Sequence, residues 1–383
     1  MKIGFDGKRA ANNLTGLGNY SRSLIAHLAN YFPQNQYFVY SPKVKDNPQI
    51  KFFTNTKGIL LKLPETKGLL WRTLGIKRQL IKDQIDLYHG LSHELPIGIH
   101  KTGIRSIVTI HDLIFIRFPQ NFGAIDRFIY KLKTKYACEQ ADRIVAISEQ
   151  TKQDIIEFYK VHPEKIEVVY QSCDDSFKSI ADDEVKKVVK QKYNLPDQYI
   201  LNVGTIETRK NLVTLIKALK NVNEDYKLVV IGKKTAYFKL VEEEIQKLGL
   251  KDRVMFLKNI PFTDLPVIYQ LAATFAYPSV FEGFGIPIIE ALYTRVPVVA
   301  ATGSCLEEAG GPSSLYVQPY DHVAMANAIN TILADPNLQT EMKEKGIAYV
   351  QKFNNEQISR QMMQLYTKTL DKTVILPYAK NRN

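Results

Sequence analysis

Residues 274–290 read TFAYPSVFEGFGIPIIE: a short aromatic and apolar run, a loop punctuated by Gly283 and Gly285, then an apolar stretch with Pro287 near its start. The first run reads as a strand and the glycines as a turn. A proline suits the first helical position, so the segment is one strand–turn–helix unit with the helix expected to begin at Pro287. Similar units recur along the chain. Strand candidates in the first half are KIGF, YFVYS, ILLKL, DLYHG, RSIVTI and RIVAIS; the pattern restarts with YILNVGT, KLVVIG, RVMFLK, TFAYPS and VPVVAA. Helix-period stretches separate them, which is the signature of α/β architecture with parallel sheets.

A chain of 383 residues has the length for two domains, each with its own core. The charged, strand-free stretch CDDSFKSIADDEVKKVVKQKYNLPDQ (173–198) marks the boundary. The expectation is two doubly wound, Rossmann-like domains, 1–175 and 176–354, with a C-terminal helix at about 355–383 packing back onto the first. Ligands of open α/β sheets bind beyond the carboxyl ends of the strands, so two such domains facing across a cleft would hold a substrate between them.

Composition narrows the class. With 45% hydrophobic and 23% charged residues the chain is ordinary globular protein rather than disordered. MKIGFDG at the start is an alternating strand rather than a signal core, and no apolar run is long enough to span a bilayer, so a cytoplasmic location is expected. Three cysteines, Cys138, Cys173 and Cys305, lack CxxC spacing and support neither a disulfide framework nor a zinc site. A net charge of +12 calls for an anionic partner. The basic residues are dispersed and no nucleic-acid-binding motif occurs, so nucleic acid is not the expected one.

Four places carry chemistry. In EGFGIPIIE, Glu282 precedes the glycine turn and Glu290 lies about one helical turn beyond it. A carboxylate there can accept two hydrogen bonds from a vicinal diol, and amides around Gly283, Phe284 and Gly285 are placed for an anion or hydroxyl. The bland alternative is a surface helix with favourable acidic residues near its N-terminus. In GTIETRKN (204–211), Gly204 turns the chain and Thr208 reads as an N-cap, which makes Arg209 and Lys210 the first helical residues. Cations there oppose the helix dipole, a cost that makes sense if a diphosphate binds; two solvated basic residues are the alternative.

The third place is TGLGNYSRSL (15–24), whose Gly16 and Gly18 resemble a dinucleotide fingerprint. The acidic residue expected on the next strand is missing from YFVYSPK, which disfavours a nicotinamide cofactor, though a glycine loop could still bring amides to a phosphate; a simple turn is the alternative. The fourth is TIHDLIF, where His111 and Asp112 end a strand at its ligand-facing edge, with a structural histidine as the alternative. His89 and His93, in YHGLSHELP, are weaker candidates for an acceptor side.

Together, the glutamates around GFG, the RK pair after a glycine turn and the two doubly wound domains resemble the retaining GT-B glycosyltransferases of family 4 (glycosyl transferases group 1), mannosyltransferases of polysaccharide assembly among them. The resemblance spans nearly the whole chain, including GLGNY, HD, GTIETRKN, EGFGIPIIEAL and PVVAATGSCLEEAGG. It implies a nucleotide-diphospho-sugar donor and a glycan or lipid-linked glycan acceptor. Glu290 would bind the ribose, Glu282 the transferred sugar, Arg209 and Lys210 the diphosphate, and His111 the donor sugar. Gly16 and Gly18 would approach the diphosphate, and Ser304, Cys305 and Leu306 would lie near the nucleotide, with Cys305 standing where family members often carry proline. Retention would proceed by front-face attack, the leaving phosphate taking the acceptor proton.

No DxD-like carboxylate pair is present, so neither metal nor cofactor is expected, and the cations take the metal's role. A basic amphipathic stretch, 67–84, mixes Leu69, Leu70, Trp71, Leu74 and Leu80 with Arg72, Lys77, Arg78 and Lys82. It reads either as a peripheral contact with the inner face of the membrane or as a helix whose apolar side packs in the core. A nucleotide-sugar epimerase of the same architecture and a catalytically silent nucleotide-sugar-binding subunit stay open as alternatives.

Overall fold

The computed structural model describes residues 1–65, 68 and 70–371. The chain forms two compact units, Met1–Gln171 with the segment from Asn354 onward, and Ser172–Phe353. Of the C-terminal helix expected at about 355–383, residues 372–383 lie outside the described residues; the helix Asn355–Leu370 belongs to the first unit.

In the first unit the strands are β1 (Lys2–Asp6), β2 (Gln36–Tyr40), β3 (Ile59–Lys62), β4 (Leu87–Gly90), β5 (Arg105–Ile110), β6 (Arg143–Ala146) and β7 (Ile166–Val168), in the order β3-β2-β1-β4-β5-β6-β7. All pairings are parallel, with Ile3 opposite Leu87 where the order reverses. In the second unit β8 (Tyr199–Val203), β9 (Lys227–Ile231), β10 (Val254–Leu257), β11 (Thr274–Tyr277), β12 (Val298–Ala301) and β13 (Leu315–Val317) run in the order β10-β9-β8-β11-β12-β13, again all parallel. Each sheet thus has one topological switch point, β1/β4 in the first unit and β8/β11 in the second, where loops leaving adjacent strands diverge and leave room for a ligand.

The strand sequences explain the parallel arrangement. Four of the five residues of β8 and all four of β11 and of β12 are buried, as a sheet covered on both faces requires. A separate apolar cluster fills each unit, around Ile76, Leu80, Val108 and Ile144 in the first and around Leu215, Val230, Ala276 and Ile329 in the second. β7 and β13 were not legible beforehand: each is three residues long and lies at a sheet edge, too short for a periodic signal.

The stretch 67–84 is not one amphipathic surface helix. Trp71–Gly75 forms a π-helical turn followed by the α-helix Ile76–Lys82; Lys67 and Leu69 lie outside the described residues. Trp71, Ile76 and Leu80 are buried in the core, and Arg72 is held by Asp6 at 2.5 Å and Glu94 at 2.6 Å. The core-packing alternative describes this segment, because its apolar positions face the sheet and its first arginine answers a buried carboxylate. Leu70 and Leu74 stay exposed.

Candidate functional site

The two loops that leave β8 and β11, at the switch point of the second unit, knit together a buried charge cluster. The first is not a helix start. Thr208–Lys210 form a 3-10 turn, Asn211 takes a left-handed conformation at φ 54°, and the α-helix begins at Leu212. Thr208 is therefore no N-cap and the cations do not sit on the first turn of the α-helix. Asn211 joins the loops, its Nδ2 donating to the Pro278 carbonyl at 3.3 Å, while the Val280 amide donates to the Arg209 carbonyl at 2.9 Å.

Both cations converge on Glu282. Arg209 Nη1 lies 2.8 Å from Glu282 Oε2, and Lys210 Nζ lies 2.6 Å from Oε1. Arg209 also donates to the Phe281 carbonyl and pairs with Glu207 at 2.6 Å. Lys210 donates to the Tyr277 hydroxyl at 2.5 Å, which itself lies 3.2 Å from Glu282 Oε1, and Ser279 Oγ donates to the same oxygen. Glu282 thus takes four donors from the protein, about the capacity of a carboxylate. Burial opposes its ionisation, but the Lys210 and Arg209 charges and the Lys210 and Ser279 hydrogen bonds prevail and hold the carboxyl at about 2.

Tyr277, Ser279 and Glu207 were not singled out in the sequence. Tyr277 and Ser279 stand in TFAYPS shortly before Glu282, and only the bend of the loop brings their hydroxyls onto it.

The glycine turn follows. Gly285 takes φ 122°, a conformation strained for any residue with a side chain, and Ala309 Cβ and Leu306 Cδ2 each lie a tight 3.2 Å from where a Cβ would stand. The helix opens at Ile286, one residue before the expected Pro287, which occupies its second position. The Phe284 ring is buried against Phe353, with centroids 5.3 Å apart, so the residue can meet a ligand only through its backbone. Cys305 holds the turn from below: its buried Sγ lies 3.1 Å from the Glu282 carbonyl and 3.0 Å from that of Phe284.

Glu290 is half-buried, and its Oε2 accepts the Tyr269 hydroxyl at 2.9 Å. Burial pushes its carboxyl up to about 7 against the Tyr269 hydrogen bond, with the Asp174 charge adding to the rise. Ser304 Oγ is buried with no hydrogen-bond partner among the described residues, and Leu306 is buried beside Gly285. Gly204, at φ 155°, follows β8 with Lys210 Cδ 3.8 Å from its Cβ position.

The other candidates belong to the first unit. The helix Gly16–Tyr31 begins at Gly16, so Gly16 and Gly18 form a helix's first turn rather than a preceding loop. A Cβ on Gly18 would come within 1.8 Å of the Asn13 carbonyl oxygen, whereas one on Gly16 meets nothing within 4 Å. His111 follows β5 and is buried. Its Nε2 lies 2.9 Å from the Leu91 carbonyl and its Nδ1 lies 3.0 Å from Gln171 Nε2, which fixes the proton on Nε2. Burial and the neighbouring His93 hold it at about 4, so it is neutral at pH 7 and has no ring nitrogen to spare for proton transfer. His93 Nε2 accepts the His111 amide at 3.1 Å. His89 is fully buried between Tyr366 at 2.7 Å and Thr109 at 2.8 Å, a structural histidine. No group of three or more His, Cys, Asp or Glu side chains among the described residues could hold a metal ion.

The fold has solved counterparts. A HepE structure from Anabaena in complex with UDP superimposes with a TM-score of 0.76 at 19% identity, covering 96% of this chain and all (100%) of that one. WaaG, a glycosyltransferase involved in lipopolysaccharide biosynthesis, gives 0.70 at 16% identity over 96% of this chain and 100% of its own. The fold is GT-B.

The family follows from sequence. Residues 15–177 match the model of Glycosyltransferase Family 4 and residues 184–349 that of Glycosyl transferases group 1. The chain belongs to the family 4 glycosyltransferases. It is 28% identical over 384 aligned positions to O-antigen chain mannosyltransferase B of Escherichia coli, covering 96% of this chain and 99% of that protein. It is 31% identical to O-antigen chain mannosyltransferase RfbU of Salmonella typhimurium over 63% of each.

Proposed function

We propose that the chain transfers a hexose, mannose in the first instance, from a nucleotide-diphospho-sugar to a hydroxyl of a glycan or lipid-linked glycan in cell-surface polysaccharide synthesis, with retention and without a metal ion. One observation carries the reading: Arg209 and Lys210 are gathered by Glu282 at the switch point of the second unit, beside the glycine turn that leads to Glu290. The mannosyl preference rests on the names of the relatives.

In the reaction the bond between the sugar's anomeric carbon and the diphosphate breaks, and a bond from the acceptor oxygen forms on the same face. The acceptor's proton passes to the leaving phosphate. Negative charge grows on the diphosphate, and a preorganised guanidinium and ammonium stabilise it without rearranging at the moment of bond breaking. Glu282 keeps the two cations in place. A hydroxyl of the transferred sugar reaches it by displacing the Tyr277 or Ser279 donor.

Glu290, ionised, accepts the ribose diol, and Ser304 Oγ offers the nucleotide an uncommitted hydroxyl. Gly16 and Gly18 at the diphosphate, and His111 as a neutral contact to the donor sugar, follow from the family resemblance.

The test is release of nucleoside diphosphate from GDP-, UDP- and ADP-sugars in EDTA, with acceptor extracts present, for wild type, Glu290→Gln and Arg209→Ala. Release from one donor that both substitutions suppress is expected. Activity lost in EDTA and restored by magnesium would overturn the metal-independent part, and a free epimer formed without acceptor would overturn transfer.

A further inference from the structure

His111 has both ring nitrogens engaged where the proposed reaction asks it to meet a sugar. The imidazole is packed against two other rings: Tyr20 stands perpendicular to it with centroids 4.7 Å apart, and His93 lies near-parallel at 5.7 Å. Its main-chain N–H is donated to His93 Nε2, which ties the backbone as well. At the ring edge, Nε2–H donates to the Leu91 carbonyl at 2.9 Å, and Nδ1 accepts from Gln171 Nε2 at 3.0 Å. A sugar hydroxyl reaches this ring only by replacing one of those two partners.

The partners are not equivalent. The Leu91 carbonyl is main chain directly after β4 and cannot withdraw without moving the end of the strand. Gln171 offers a flexible side chain, three residues beyond the end of β7 and at the last position of the Met1–Gln171 segment. It is the partner able to yield.

We infer that Gln171 is a positioning residue for donor binding: in the free protein its amide keeps His111 Nδ1 as an acceptor, and it gives that acceptor up to a hydroxyl of the transferred sugar. The hand-over rests on the proposed function; the holding of the imidazole does not. One neutral hydrogen bond replaces another, so the exchange itself costs little. Nδ1 takes only a donor, so the sugar must present an O–H there, and a carboxylate or a missing hydroxyl at that position is refused.

Two substitutions act in opposite directions. Gln171→Leu removes the competing amide, while the Leu91 carbonyl still keeps the proton on Nε2, so the sugar finds Nδ1 open and donor KM should fall about threefold. Gln171→Glu keeps the shape but cannot donate. Its carboxylate accepts from a protonated Nδ1 while Leu91 still takes Nε2–H, and the ring becomes an imidazolium among its other charged or titratable neighbours His93, Asp112 and Arg9. No acceptor is then left for the hydroxyl, and donor KM should rise about tenfold. A glutamine that only supported the fold would move KM the same way in both variants.

The experiment measures KM on the full chain for whichever of the GDP-, UDP- and ADP-sugars is turned over, and the affinity of its nucleoside diphosphate, which lacks the sugar and should bind all three proteins alike. Alongside, 15N spectra of histidine-labelled protein, with His111 assigned by its loss in His111→Asn, should show Nδ1 bare in wild type and Gln171→Leu and protonated in Gln171→Glu. A protonated Nδ1 in wild type, or KM that is unchanged or raised in both variants, would overturn the inference. If Gln171→Glu melts far below wild type, Gln171→Leu decides alone, and a raised KM there sinks the hand-over. Wild type that turns over no sugar donor would remove the proposed function and the hand-over with it, whereas the spectra would still decide whether Gln171 holds the imidazole.

Discussion

Lys210 Nζ and Glu282 Oε1 stand 2.6 Å apart, with Arg209 Nη1 2.8 Å from the other carboxylate oxygen, so one buried anion holds both cations of the site. In the proposed reaction the arrangement sets the charge balance that an incoming diphosphate meets, and it gives Glu282 a structural role of its own.

Glu282→Gln leaves Lys210 without its counter-charge in a buried setting and leaves Arg209 with Glu207 alone. Removing one partner of such a cluster costs about 3–5 kcal/mol, because the remaining charges are left uncompensated. Denaturant unfolding at pH 7 should show a loss of that order; a loss below about 1 kcal/mol would mean that the cluster is more solvated than its geometry indicates. The pH dependence has a fixed sign. The carboxyl of Glu282 is held at about 2, below its ordinary 4.5, so its contribution is present above pH 4.5 and is lost as pH falls toward 2.

Glu290 behaves in the opposite way. Its carboxyl is raised from 4.5 to about 7, so the stability associated with its protonated form is complete below pH 4.5 and is lost as pH rises through 7. Glu290→Gln, which keeps the neutral shape, should therefore stabilise the protein at pH 8 by on the order of 2 kcal/mol relative to wild type, and hardly at all at pH 4. Ligand binding should show the trade-off. Nucleoside diphosphate affinity in wild type should rise with pH between 6 and 8 as the carboxylate forms, and calorimetric titration of Glu290→Gln should give a flat, weaker profile.

The two glycines at the start of Gly16–Tyr31 separate packing from binding. Gly18→Ala drives a methyl into the Asn13 carbonyl, 1.8 Å from the new Cβ, and should cost about 1–3 kcal/mol in thermal or chemical unfolding. Gly16→Ala meets nothing within 4 Å and should change stability by less than about 0.5 kcal/mol. If Gly16 admits a diphosphate, that variant alone should combine native stability with weakened donor binding.

The thiols should be silent in the native protein. Cys138, Cys173 and Cys305 are all buried; burial pushes the Cys138 thiol up to about 12 and the other two well above their ordinary value. A thiol reagent at pH 8 should label none of them until denaturant is added, and one fast-reacting thiol would contradict the placement. Cys305→Ala removes a weak donor shared by two carbonyls and should loosen the glycine turn, which donor affinity would register before stability does.

The sequence by itself determined the α/β class and most of the strands, because buried parallel strands are continuous apolar runs and glycine and proline mark the turns between them. It also marked as candidates the residues that the structure places on the loops leaving β8 and β11 and on the helix that follows: the RK pair, the two glutamates and the glycines between those glutamates. Tertiary structure decided how they meet. Arg209 and Phe281 are 72 residues apart, and only the pairing of β8 with β11 brings their loops together, so no local pattern could show that Glu282 would hold both cations. The same holds for the helices. The stripe of Ile125, Phe128, Ile129 and Leu132 and that of Trp71, Ile76 and Leu80 are both apolar and both flanked by basic residues. Periodicity says that each helix has an apolar face; which face is covered depends on what the rest of the chain packs against it, and that is settled only in the folded protein.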